Sequence, residues 1–347
     1  MRPTSRFAPR FVSRIPCLSV AALRRLAAAA TICPLLWLAG CARLDPNTQP
    51  PPATCDPSDS ATPCCGRTAV GTGFPGELAA VGTDTTLDLA TWNMLNFPSS
   101  HPASVGIQMA ARIISAASLD LWAVEEIASV SSFDSVLARL PGYAGLVSPD
   151  QYSPGNYQKT GVIYRTSVIT VRSVTPIFTG DFSAFPRPPL ELDIAATANN
   201  RTYSFRLIVL HLKAGSTADD LARRRDANFK IRQYLDLQQT ARPGVPYLVA
   251  GDWNGVLTDA PDRNSFTSLL SDSTDYKFLT MGITGRSDLY SHPASARLID
   301  HWMINRAACP VFARARVVTL RPGDYLPTYQ DDLSDHRPVM VAVPVFR

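Results

Sequence analysis

Carboxylates, carboxamides and imidazoles recur in six short stretches of this chain, each where an apolar run stops. They are Asn93 in ATWNML, Glu125 and Glu126 in AVEEI, His211 in LHLKAG, Asp252 and Asn254 in GDWNG, Asp300 and His301 in LIDHW, and Asp335 and His336 in LSDHRP. Carboxylate and amide oxygens such as those of Glu126, Asp335 and Asn93 are hard ligands, suited to Mg2+ rather than zinc. Imidazoles beside them can carry a proton or face a developing negative charge. Together they can neutralise negative charge, deprotonate a water and stabilise a leaving group. Each stretch alone also has a structural explanation. Asn93 can cap the next segment, GDWNG can be a tight turn, and His211 can be a satisfied core histidine. Glu126 can be a surface acid, and Asp335 with His336 a capped turn ahead of the apolar run 338–345.

The elements that must hold these groups follow from apolar patterning. Strand-like runs fall at 87–92, 121–124, 160–164, 168–175, 190–196, 203–212, 246–250, 298–304, 315–320 and 338–345, and helical runs at about 104–118, 131–139 and 218–239. On the long helix Leu221, Ala227, Ile231, Tyr234 and Leu235 recur at near-helical spacing, which leaves Arg223, Arg224 and Arg225 to be read as a solvated face. Many strands and few helices argue for sheet packed on sheet with helices outside. Polar groups at strand ends are then held by rigid elements and left accessible by loops.

The order of these motifs resembles the endonuclease/exonuclease/phosphatase superfamily, which includes the deoxyribonuclease I and exonuclease III relatives. A strand ending in WN is followed by an acid pair, a strand-ending His, GD-x-N, DH and a final SDH, over roughly residues 86–347. The resemblance implies a four-layered α/β sandwich of two mixed sheets, and phosphoester hydrolysis with Mg2+ or sometimes Mn2+ or Ca2+. It also implies Glu126 as the main metal carboxylate with Asn93 and Asp335 beside it, and Asp252 as acceptor of the water's proton or a second metal contact. Asn254 would hold the water or phosphate, and His336 would face the phosphate, held by Asp300. His211 matches a second phosphate-facing histidine. The acid that relatives place behind that histidine is Gln158 here, and the usual Gln-Glu pair reads Glu125-Glu126, adding negative charge beside the metal.

The N-terminal region lies outside that resemblance. Six arginines and no acid precede LAAAATICPLLWLAGC, an apolar stretch too short to be a stable span. Leu38-Ala39-Gly40-Cys41 resembles a bacterial lipobox, so residues 1–40 are expected to be a signal peptide and Cys41 to carry lipid in the cell envelope. Residues 41–85, rich in Pro, Ser, Thr and Gly, read as a tether. Cys55, Cys64, Cys65 and Cys309 suggest two disulfides, with three possible pairings. The net charge of +4 falls away with the signal, whose removal leaves 27 basic against 29 acidic residues, so overall charge makes no case for nucleic acid. The expectation is a lipid-anchored, monomeric phosphodiesterase acting on nucleic acid. Alternatives are a phospholipid or sphingomyelin phosphodiesterase, a small-molecule phosphatase, or, in another class, a non-catalytic envelope binding protein.

Overall fold

Each of the ten strand-like runs forms a strand, and three more strands lie where the sequence carries little alternation. The computed structural model describes residues 69–70, 78–150 and 158–347, all within the compact unit Leu44–Arg347. The signal, Cys41, Cys55, Cys64 and Cys65 lie outside the described residues. In chain order the strands are β1 (Ala69–Val70), β2 (Leu87–Phe97), β3 (Leu121–Ile127), β4 (Tyr143–Val147), β5 (Lys159–Arg165), β6 (Ile169–Pro176) and β7 (Leu190–Ala198). They continue as β8 (Arg201–His211), β9 (Tyr247–Asp252), β10 (Tyr276–Phe278), β11 (Asp300–Asn305), β12 (Arg316–Thr319) and β13 (Val339–Val343).

The strands form two mixed sheets, ordered β1-β12-β13-β2-β3-β5-β4 and β10-β11-β9-β8-β7-β6. The faces of β2 and β3 meet β8, β9 and β11, and Leu89, Leu207, Leu248, Trp302 and Val341 are buried in one cluster with Trp92 and Trp122. Trp92 stacks on Tyr329 at 6.4 Å and donates from Nε1 to its hydroxyl. Large buried aromatics of this kind contribute much of a core's transfer free energy, about 1.5–3 kcal/mol for a Phe-sized side chain.

Helices cover the outer faces. Helix α1 (Ala103–Ala117) buries Ile107, Ala110, Ile114 and Ala117 at three- and four-residue spacing and ends at Ser118 in the left-handed conformation, φ 57°. It packs with α2 (Val130–Leu137) on the first sheet. Helix α3 (Ala218–Ala241) starts at a capping box of Thr217 and Asp220 and buries Ala227, Ile231 and Leu235 on the second sheet. The result is the expected four-layered α/β sandwich.

One reading of the sequence is corrected here. The three arginines of α3 are not a solvated face. Arg224 is buried and donates to the carbonyls of Lys213 and Gly215; Arg223 donates to those of Phe182 and Ser183, and Arg225 to those of Pro261, Asp262 and Asn264. Guanidinium forks suit bent loop backbones that leave carbonyls unpaired. The stretch read as a tether also contributes structure, since β1 pairs in parallel with β12 and Val81 is buried. Cys309 is disulfide-bonded. Every other cysteine precedes residue 66, so its partner lies outside the described residues.

Candidate active site

The topology gathers all the expected site residues of the sandwich at one edge. Strands β2 and β3 run parallel, as do β8 and β9, so Asn93, Glu126, His211 and Asp252 sit at their C-terminal ends. Strands β11 and β13 run antiparallel to β9 and β2, so their beginnings, at Asp300 and just after His336, reach the same edge. His211 and Asp300 are both register partners of Asp252. Gly251 makes that closeness possible, because at its φ of +142° a Cβ would lie 1.8 Å from the Leu210 carbonyl oxygen.

Local irregularities aim the side chains. The β2–β3 register shifts after Asn93, where Leu95 and Asn96 take φ of 50° and 46°. The β3–β5 register shifts between Val124 and Ile127, where Glu126 takes φ 61°. A bulge of this kind re-aims a side chain, and a left-handed glutamate is strained. Glu126 Oε2 is held by the Asn96 N–H at 2.8 Å, and Oε1 by Asn93 Nδ2 at 3.2 Å.

Asn93 joins the two sheets, since its Nδ2 also donates to Asp252 Oδ2 at 3.1 Å while its Oδ1 accepts from the Leu95 N–H. The amide therefore turns its nitrogen, not its oxygen, to the acids, and an oxygen-ligand role requires it to turn over. Asn254, at φ 51°, donates to Asp252 Oδ2 and to the Leu212 carbonyl.

His336 Nδ1 lies 2.8 Å from Asp300 Oδ2, and its Nε2 is 3.9 Å from Asp252 Oδ2 and 4.0 Å from Asp335 Oδ1. Burial disfavours the imidazolium, but Asp300, Asp252 and Asp335 outweigh it and raise the group to about 10. Burial and nearby Asp300 raise Asp252 to about 7, poised to accept a proton. The chain around His336 is fixed as well. Ser334 Oγ donates to the Asn93 carbonyl and accepts from the His336 N–H, and the Tyr329 hydroxyl donates to the His336 carbonyl.

His211 differs from His336. It lies 3.6 Å from Glu126 Oε1 and 3.5 Å from Asp252 Oδ2, but complete burial, then Arg187 and His336, hold its pKa well below the usual value. The ring is neutral, and these contacts are not ion pairs. Its Nδ1 is buried without a partner, while Gln158 donates to Asn96 Oδ1. The charge expected of Glu125 is also corrected. Its side chain is buried, accepts from Thr91 Oγ1 at 2.9 Å, and is pushed well above the usual carboxylate range by burial and Asp300, which favours the protonated acid. His301 is structural, lying between Thr280 Oγ1 and the Gly255 carbonyl.

Two neighbours receive no site role from the sequence. His292, in a Ser-His-Pro turn, lies 3.2 Å from Asp335 Oδ2 and edge-on to His336. Arg187 acts electrostatically on His211 and has a buried Nε without a partner. Neither adjoins a strand-ending motif, so neither carried a signal.

The donor set fits a hard divalent cation. Asp335 Oδ1 is buried without a hydrogen-bond partner, with the His336 Nε2 4.0 Å away, so its lone pairs are open to a cation. Two described groups bring their donor atoms within 4.8 Å: Asp252, Asp300 and His336, and His292, Asp335 and His336. Glu126 belongs to neither.

The model of the endonuclease/exonuclease/phosphatase family matches residues 90–336. No curated protein matches the chain. Among solved structures, the human Nocturnin catalytic domain with bound sulfate aligns at TM-score 0.55 and 16% identity over 76% of this chain and 96% of that one. Zebrafish (D. rerio) TDP2 complexed with a single-strand DNA product aligns at 0.54 and 14%, over 75% and 99%. The Bacteroides thetaiotaomicron mannosyl-6-phosphatase aligns at 0.51 and 15%, over 74% and 99%. At these identities the likeness is one of fold.

Proposed function

This chain belongs to the endonuclease/exonuclease/phosphatase family, and we propose that within this family of phosphoester hydrolases it is a Mg2+-dependent phosphodiesterase acting on nucleic acid. The observation that carries the reading is the His336–Asp300 couple, whose free Nε2 and the raised carboxyl of Asp252 face one another across 3.9 Å. One group offers positive charge to a phosphate and the other takes a water's proton.

Glu126 and Asp335, with Asn93 beside them, would hold the cation, which when bound neutralises phosphate charge as a Lewis acid. The remaining steps belong to the chain's own groups. Asp252 accepts the proton of the attacking water, and Asn254, tied to it, orients that water. The His336 imidazolium faces the phosphate oxygens as negative charge builds, with Asp300 holding its Nδ1–H. His211, neutral and buried, donates from Nε2 without adding charge. TDP2 in complex with a DNA product supports a nucleic-acid substrate by analogy of fold. Anchoring in the cell envelope through Cys41 completes the proposal.

The test is to incubate the protein with plasmid DNA, RNA, sphingomyelin vesicles and a sugar phosphate monoester, each with Mg2+ and with chelator. Chelator-sensitive cleavage of DNA or RNA is expected. Turnover of only the vesicles or only the monoester would replace the nuclease reading, and no turnover of any would favour a binding protein.

A further inference from the structure

His292 is the cap of the short turn Pro293–Ser295, and its side chain accepts from the Ser295 N–H at Nδ1, 3.2 Å away. Nδ1 also lies 2.8 Å from Ser295 Oγ. The placement of an N–H on Nε2 follows from the ring's other neighbour, the Asp335 carboxylate, which can only accept. That N–H points to Asp335 Oδ2, 3.2 Å away. Asp335 Oδ1, on the other side of the carboxylate, is buried without a partner. One oxygen is thus engaged by protein and the other is left with its lone pairs open.

The turn cannot drift from this position. The Ser291 carbonyl accepts from the Arg337 N–H at 2.6 Å, and Ser291 Oγ accepts from the Ile299 and Asp300 N–H groups. His292 and Arg297 exchange backbone hydrogen bonds at 2.9 and 3.2 Å. The His292 ring stands edge-on to His336, 4.9 Å between centroids and 78° between planes. One imidazole therefore contacts both members of the Asp335–His336 pair from a loop tied to Arg337, the residue that follows them.

We propose that His292 is a positioning residue of the cation site: its Nε2–H fixes the Asp335 carboxylate so that Oδ1 presents to the metal. The inference rests on the metal-dependent reading above. Hydrogen-bonded partners of a ligating carboxylate typically change metal affinity by about 10–100-fold when removed. The effect of losing His292 falls on the half-saturating metal concentration, because the ring acts on the Asp335 carboxylate and not on the phosphate.

The test is calorimetric titration of Mg2+ into the metal-stripped full chain, for wild type, His292→Ala and His292→Gln, with metal-free melting of each. The Gln amide nitrogen can stand where Nε2 stands. His292→Ala is expected to weaken Mg2+ binding about ten-fold or more, with only the modest drop in metal-free melting point that loss of a turn cap brings. His292→Gln is expected to recover most of the affinity, and turnover of His292→Ala to recover at saturating Mg2+. Wild-type affinity in His292→Ala overturns the inference, as does equal loss in both variants. If wild type itself binds no divalent cation, the metal-dependent reading fails first and the inference falls with it.

Discussion

Asp300 and His336 meet through a 2.8 Å contact between Oδ2 and Nδ1, although they lie on β11 of one sheet and just ahead of β13 of the other. Asp335, the sequence neighbour, reaches His336 only at 4.0 Å and on the opposite ring nitrogen. Successive side chains in extended backbone point to opposite faces, so the partner that fixes the ring must come from elsewhere in the fold. The couple is therefore a product of sheet packing, and its two members should act as one unit.

On that basis His336→Ala is expected to cut turnover by about 10²–10³-fold or more, as loss of charge stabilisation in a transition state does, with Mg2+ affinity nearly intact. Asp300→Asn should resemble it, and the double variant should be little worse than either. Steady-state kinetics of all three at saturating Mg2+ is the measurement. Multiplying losses would mean that the two residues act separately.

Glu126 is held in a left-handed conformation with both oxygens already hydrogen-bonded, to Asn93 and Asn96. Glu126→Gln keeps the shape and removes the charge. It should lose Mg2+ binding by calorimetry together with activity, while the metal-free protein still folds and melts only slightly lower, since the amide can accept from one of the two donors and not both. An unchanged affinity would move the cation away from β3, toward the group formed by Asp252, Asp300 and His336.

Strand ends were legible because an apolar run that stops at Asn, Asp, Glu or His is visible in one dimension, and the parallel and antiparallel order then brings those ends together. What stayed hidden depends on the third dimension. Whether Glu125 or Glu126 faces the site is decided by a bulge between Val124 and Ile127 that no residue type announces. His292 matters because Ser291 docks on Arg337, a contact between chain segments far apart in sequence. Arg223, Arg224 and Arg225 read as surface because their partners are loop carbonyls, which have no signature in sequence. Strands β4 and β10 are missed for a simpler reason. They are sheet-edge strands, half-buried or only three residues long, with little alternation to detect.

Cys41 offers a prediction about location. If the leader is cleaved ahead of it and its thiol carries lipid, wild type should partition into detergent and sediment with membranes, while Cys41→Ser should be soluble or uncleaved. Equal partitioning of the two would remove the lipid anchor and leave the enzymatic proposal untouched.

The last prediction concerns pH in the absence of metal. Burial and Asp300 raise Asp252 from 3.8 to about 7, and burial also raises Asp120, on the Asp88 side of the first sheet, to about 7. His336 is raised from 6.5 to about 10 by its carboxylate neighbours against the effect of burial. In each case the folded protein binds the proton more tightly than the unfolded chain does. For the two aspartates the associated stability is fully present below about pH 4 and is lost as pH rises through 7; for His336 it is present below about 6.5 and lost toward 10. Taken by themselves these three groups lower the metal-free melting point as pH rises, each with a slope of up to about 1.4 kcal/mol per pH unit within its window. His211 and His301, lowered by burial, pull the opposite way below about 6.5. Asp252→Asn should flatten the curve between pH 5 and 7 and leave a decline above 7, where His336 still loses its proton. Thermal melts of both proteins in chelator across this range are the check. A variant curve parallel to wild type throughout would show that Asp252 ionises in the folded protein without cost and is not the group poised to take a water's proton.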